Sequence, residues 1–174
     1  MMKSFKLFYK IFNTRIGKIG LIWKIEKKDT KVFGIMLPQV SISSIKKNYP
    51  GILRGKSKII KKISMDINLY LDGKQAKFNL NNFDLSRLGK FQKRVLMVTL
   101  KIPQGSVSTY GAIAKKLGIP KGARAVGQAL AKNPFPIILP CHRVIKSDGT
   151  LGGFGGNIDL KRKLLSIEKV IIQK

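Results

Sequence analysis

Pro140-Cys141-His142-Arg143-Val144 holds the only cysteine and the only histidine of the 174-residue chain. A thiolate is a strong nucleophile, and an imidazole is the side chain best matched to taking the thiol proton near neutral pH. Such a pair can attack an electrophilic carbon without a metal or cofactor. Neighbours on a strand point to opposite faces, so a water-mediated contact suits this spacing better than a direct one. Free cysteines are also among the most buried residue types, and a packed thiol beside a satisfied core histidine accounts for the same two residues. Both readings stand at this point.

Glu168 is the third candidate. It falls near the C-terminal end of the last predicted helix, where the helix dipole disfavours negative charge. The chain has only eight acidic residues. A carboxylate there fits either a solvated helix end or a specific partner, and His142 is the natural partner, oriented for proton transfer as in a catalytic triad. The run Leu151-Gly152-Gly153-Phe154-Gly155-Gly156 is too glycine-rich for a helix and reads as a mobile loop whose backbone can approach a ligand. No Lys-Ser or Lys-Thr follows it, which excludes a P-loop nucleotide site.

One cysteine can form neither an internal disulfide nor a Cys-rich zinc site. An intracellular, cytoplasmic location is therefore expected. The first residues, Met1–Lys6, lack the apolar block of a signal peptide, and no apolar stretch nears the ~20 residues of a membrane span. Hydrophobic residues make up 44%, enough for a folded core. The net charge of +27 calls for a polyanion, nucleic acid first. Residues 86–174 carry 17 Lys or Arg against Asp148, Asp159 and Glu168, and the rest of the charge lies in the first 85 residues. This even spread fits a basic folded surface, or a general bias toward lysine, better than an appended arm.

The elements that must position these groups follow from periodicity. Residues 5–37 read as strands: Ile19, Leu21, Trp23 and Ile25 alternate, Lys27-Lys28-Asp29-Thr30 is a polar hairpin turn, and 31–37 returns. Residues 41–48 and 56–71 read as helices, 74–83 as a short strand, and the Asn-rich 79–86 as a linker. A helix over 87–101 shows Leu88, Phe91, Val95 and Val98 on one face. Ser108 or Thr109 caps a helix through Leu117. Gly118-Ile119-Pro120 breaks it, and a second helix runs from Lys121 to Lys132, the outline of a helix-turn-helix or of a plain helical hairpin. Ala123, Arg124, Gly127, Gln128 and Ala131 face outward on that second helix. So slender a face suits the DNA minor groove, only ~6 Å wide, with Arg124 as its one long probe. Phe135–Leu139 reads as a buried strand delivering Cys141 and His142. The final helix begins at Asn157 or Ile158, with Leu160, Leu164 and Ile167 inward. The fold class is α/β (α+β): a small N-terminal sheet with helices over 1–82 and a mainly helical C-terminal domain over 86–174.

Phe91-Gln92 through Val95-Leu96, Val107-Ser108-Thr109-Tyr110, Ala123-Arg124-Ala125-Val126-Gly127, Asn133-Pro134, Pro140-Cys141-His142-Arg143-Val144 and Leu164-Leu165 with Glu168 together resemble the O6-alkylguanine-DNA alkyltransferases, in the family's order and spacing. The resemblance covers about residues 86–170. It implies a single-use DNA repair protein that flips O6-alkylguanine out of the duplex and takes the alkyl group irreversibly on Cys141. It further implies that His142 deprotonates Cys141 through a water, Glu168 orients His142 and Asn133 braces the turn. Tyr110 would protonate N3 of the leaving guanine and push the phosphate aside, and Arg124 would fill the gap in the stack. Ala123, Gly127, Gln128 and Ser147 would contact DNA. Val144, Leu151, Gly155 and Gly156 would hold the base. Double-stranded DNA bound by its minor groove is the implied partner of a monomer; no cofactor, metal or membrane is expected. Related sequences can carry Ser where Gly155 stands, which removes a hydrogen bond to O6. Zinc ligands found in the N-terminal part of some members are missing. An alkyltransferase-like binding protein would have another residue, such as Trp, in place of Cys141. A plain DNA-binding protein would leave the Cys-His-Glu set unexplained, and a cysteine hydrolase would turn over.

Overall fold

The computed structural model describes residues 5–26, 29–38, 41–154 and 157–172, and the chain forms two compact units, Met1–Asp84 and Leu85–Lys174. The first unit opens with strands β1 (Leu7–Thr14), β2 (Gly17–Glu26) and β3 (Asp29–Met36), an antiparallel meander. A two-residue strand β4 (Leu53–Arg54) joins β1 in parallel, giving the sheet order β3-β2-β1-β4. Both faces of β2 are covered, so Ile19 through Lys24 are all buried instead of alternating. Ile25 lies past the covered stretch and is exposed.

Helix α1 (Ile42–Asn48) starts at a capping box between Ser41 and Ser44 and seats Ile45 against Tyr9, Ile22 and Ile52. Helix α2 (Lys58–Leu71) packs on β1 and β3 and buries Ile60, Ile63, Ile67, Tyr70 and Leu71, at helical spacing. One expectation fails here. Residues 74–83 form no strand; Asn79 turns its side chain onto Asn81 N (3.0 Å) and starts a 3-10 turn, Leu80–Asn82, leaving Phe83 to bridge Val32. Local side-chain bonding of this kind competes with a ladder. The boundary between the two units falls after Asp84, inside the expected linker 79–86, and its first part is tied down: buried Asp84 pairs with Lys24 at 2.9 Å, and Asp84 N donates to Val32 O. Lys27 and Lys28 of the expected hairpin turn lie outside the described residues, and Asp29 and Thr30 belong to β3.

The second unit contains α3 (Lys90–Leu100), β5 (Ser108–Thr109), α4 (Tyr110–Lys116), α5 (Ala123–Ala131), β6 (Val144–Ile145) and α6 (Ile158–Ile167). In α3 the buried stripe is Val95, Leu96 and Thr99; Phe91 is exposed and Leu88 lies before the helix. Thr109 caps α4 by accepting from Ala112 N at 3.1 Å. Helices α3, α4 and α5 pack on one another, with Val126, Ala129 and Leu130 inward on α5. The ladder between β5 and β6 is parallel, with Ser108 opposite Val144. That pairing brings Tyr110, at the start of α4, beside the cysteine segment. Among the described residues no helix is long and apolar enough to cross a membrane.

Candidate active site

Phe135–Leu139 is not a strand. It is a buried turn in which Ile137 takes a positive φ of 74°. Pro134 and Pro136 lack the N–H groups a strand ladder needs, and Asn133 replaces the ladder. Its Nδ2 donates to Leu139 O at 2.7 Å and its Oδ1 accepts from Phe135 N at 3.0 Å. The same Nδ2 reaches Cys141 Sγ at 3.1 Å. Cys141 and His142 then lie on a 3-10 turn, Cys141–Arg143, that leads into β6.

Cys141 is buried, and burial pushes its thiol above the ordinary range; the Asn133 hydrogen bond and the charge of Lys161 pull it down in part. The resting thiol is protonated at neutral pH and needs a base. Burial holds the His142 imidazole below its ordinary value; Arg143 and Lys161 push the same way and Glu168 opposes them. A neutral imidazole is free to take a proton. His142 Nε2 lies 3.0 Å from Glu168 Oε1.

Glu168 is the C-cap of α6 and is fully enclosed. Its carboxylate also accepts from Arg143 Nε at 3.0 Å to each oxygen, from Arg143 Nη2 at 2.7 Å and from Gly105 N at 3.3 Å. Arg143 Nη1 donates to Ile102 O at 2.7 Å. The acid at the wrong end of a helix dipole is thus compensated by an Arg fork, which neutralises it more fully than a histidine alone.

Lys161 is a component that the sequence reading missed. It is fully buried on α6, with Nζ 2.5 Å from Val144 O and 3.5 Å from Tyr110 Oη. Burial lowers it to about 8, with Cys141 acting in the opposite direction. The signal lay in the helix period: Lys161 shares the inward face with Leu164, Leu165 and Glu168. Arg143 was quoted as part of a motif and given no role; its adjacency to His142 carried no sign of the pairing with Glu168.

Tyr110 is half-buried, and burial, then the Cys141 charge, pushes its phenol up, so it carries its proton at neutral pH. Its hydroxyl lies 3.4 Å from Gly153 O. A Cβ on Gly127 would stand 3.7 Å from its ring, and one on Gly152, at φ +67°, would stand 2.9 Å from ring and hydroxyl. Cys141, His142, Glu168, Asn133, Tyr110 and Lys161 therefore share one site. Arg124 and Gln128 are exposed on α5, where Ala123 and Gly127 are half-buried; Ser147 is exposed in the turn after β6. The Leu151 side chain is core, packed with Ile145 and Leu165, so only its backbone is available to a base. The Val144 carbonyl is partly used by Lys161, leaving its second lone pair for any ligand. Gly155 and Gly156 lie outside the described residues.

Residues 90–170 match the family model described as 6-O-methylguanine DNA methyltransferase, DNA binding domain. The chain is similar to a methylated-DNA–protein-cysteine methyltransferase of Methanosarcina acetivorans, 34% identical over 163 residues, covering 93% of this chain and 98% of that one. A protein of the same name from Methanothermobacter thermautotrophicus is 42% identical over 114 residues, 66% of this chain; the chain spans 64% of that relative's length. The crystal structure of Mycobacterium tuberculosis OGT in complex with DNA matches with a TM-score of 0.74 and 35% identity, covering 93% of this chain and 92% of that one.

Proposed function

Because the chain belongs to the 6-O-methylguanine DNA methyltransferase family, we propose that it repairs duplex DNA by moving the alkyl group of O6-alkylguanine onto its own Cys141, once per molecule. One observation carries the reading: a buried thiol, held by Asn133, on the same turn as a histidine paired with an enclosed glutamate.

The O6 carbon is out of reach inside the base stack, so the nucleotide must be extruded, at a cost of a few kcal/mol. The exposed, slender face of α5 enters the minor groove, and Arg124 takes the place of the flipped nucleotide. Gln128 and Ser147 flank it on DNA, and Ala123 and Gly127 permit close approach. The Cys141 proton passes over one water to His142. Glu168 holds Nε2, so Nδ1 is the accepting nitrogen. Sγ then attacks the alkyl carbon while the bond to O6 breaks, leaving a thioether. The guanine leaves neutral by taking a proton at N3 from Tyr110. His142 has gained one proton and Tyr110 has lost one; Lys161 stabilises the phenolate until solvent restores both. The Val144 carbonyl and the backbone around Gly155 and Gly156 hold the base. No cofactor is needed, and a monomer in the reducing cytoplasm suffices.

The test is mass analysis of the Cys141 peptide after incubation with duplex carrying a labelled O6-methylguanine. One methyl per protein is expected, with restored guanine. Multiple turnovers, or no label on wild-type protein, would refute the assignment. Cys141→Ala should keep DNA binding and lose transfer. Arg124→Ala should slow transfer from duplex more than from the free alkylated base, and equal slowing would remove its role in flipping.

A further inference from the structure

The first unit carries a second feature unrelated to Cys141. A cavity of about 560 Å³ lies at β1, β4 and the start of α2. Its size is in the range of ligand sites, ~300–1,000 Å³. Lys10, Arg54, Lys56, Lys58 and Lys61 line it, and among the described residues no acidic one does. None of the five pairs with a carboxylate of a described residue; ion pairs among the described residues of this unit include Lys24 with Glu26 and Asp84, and Lys62 with Asp66.

Two further observations concern the same place. Lys58 opens α2, and Lys61 follows one turn on, at the end where the helix dipole is already positive. The first turn contains no acid, and Ser57 at the N-cap makes no side-chain cap; its hydroxyl is 3.4 Å from that of Thr30. The leading N–H groups of the helix are thus left for an external acceptor. Lys10 is held in place by a 2.9 Å bond from Nζ to Ser64 Oγ, and both burial and Lys61 depress its pKa. Like charges gathered around a concavity, at the positive end of a helix, repel one another until an anion enters.

We infer that this cavity binds phosphates of a nucleic-acid backbone, a DNA contact made by the unit that does not carry Cys141. One small phosphate would offset only one or two of five cations. Duplex DNA presents a charge every ~1.7 Å of its axis and answers several at once. The four cations other than Lys10 are exposed, as a backbone running past the cavity mouth requires.

The experiment compares full-length wild type with Arg54→Ala/Lys58→Ala/Lys61→Ala, and with a control of equal charge, Lys46→Ala/Lys47→Ala/Lys74→Ala, also exposed. Affinity for unmodified duplex is measured across salt concentrations. Each lost phosphate contact lowers the slope of log affinity against log salt by about 0.9. The cavity variant, which removes three cations, is expected to lose nearly three units of slope and at least tenfold in affinity, while the control loses far less. Both should melt in denaturant at the wild-type midpoint, which shows that they fold and separates this result from the fate of the Cys141 reading. Equal losses in the two variants would mean a diffuse field and overturn the site. A second arm titrates pyrophosphate; binding abolished in the cavity variant, with unchanged DNA affinity, would overturn the nucleic-acid assignment in favour of a small phosphate ligand.

Discussion

Lys161→Met separates the cost of the buried lysine from its use. The ammonium is fully enclosed, and its pKa falls from 10.5 to about 8. One pKa unit corresponds to about 1.36 kcal/mol, so keeping the charge in the fold at pH 7 costs about 3 kcal/mol relative to water. The bond to Val144 O returns part of this, on the order of 1–2 kcal/mol. Methionine fills nearly the same volume without a charge. The variant should therefore be more stable than wild type at pH 7, by roughly 1–2 kcal/mol, while its transfer rate falls because Cys141 and Tyr110 lose a neighbouring cation. The pH dependence fixes the sign. The folded pKa is below the unfolded one, so between about 8 and 10.5 the unfolded chain binds more protons and wild-type stability gains with rising pH. The variant lacks this gain, so its advantage should shrink across that window. Urea unfolding of both proteins at pH 7, 8.5 and 10 measures it. A variant less stable than wild type at pH 7, or a difference that does not change with pH, would show that Lys161 is an ordinary structural cation.

Glu168→Gln keeps the shape and removes the charge that Arg143 and His142 share; breaking a buried pair costs about 3–5 kcal/mol. The double variant Arg143→Met/Glu168→Leu should be less destabilised than the sum of its singles, and additivity in a double-mutant cycle would argue against coupling. Gly152→Ala places a methyl 2.9 Å from the Tyr110 hydroxyl at a positive φ, so it should lose about 1–3 kcal/mol in denaturant melts and slow transfer severalfold; wild-type kinetics would show that Tyr110 does not depend on this wall.

Legibility in the sequence followed the range of the interaction. The β1–β2–β3 meander, α2 and the α4–α5 pair were readable because their apolar residues repeat at the period of their own element. Cys141, His142 and Glu168 were legible from residue type and position, whereas Asn133 and Tyr110 join them only through the family pattern, since the Asn133 turn and β5–β6 pairing bring them to the site. Local bonding that overrides composition was not readable. Phe135–Leu139 looks like a strand by its residues, yet one asparagine side chain turns it. Strand β4 is too short to carry a period. Lys161 was hidden because a lysine on a helix is ordinarily solvated, and only the inward phase of α6 marks it otherwise.

Ile137 sits where β-branched residues rarely do, and such a backbone stores about 1–3 kcal/mol. The Asn133 amide that closes its turn also touches the cysteine sulfur. A carbon placed on that sulfur must therefore press on the fastening of a compressed spring. On the proposed function, an alkylated copy should unfold more readily than an unmodified one, and paired denaturant melts would show the difference.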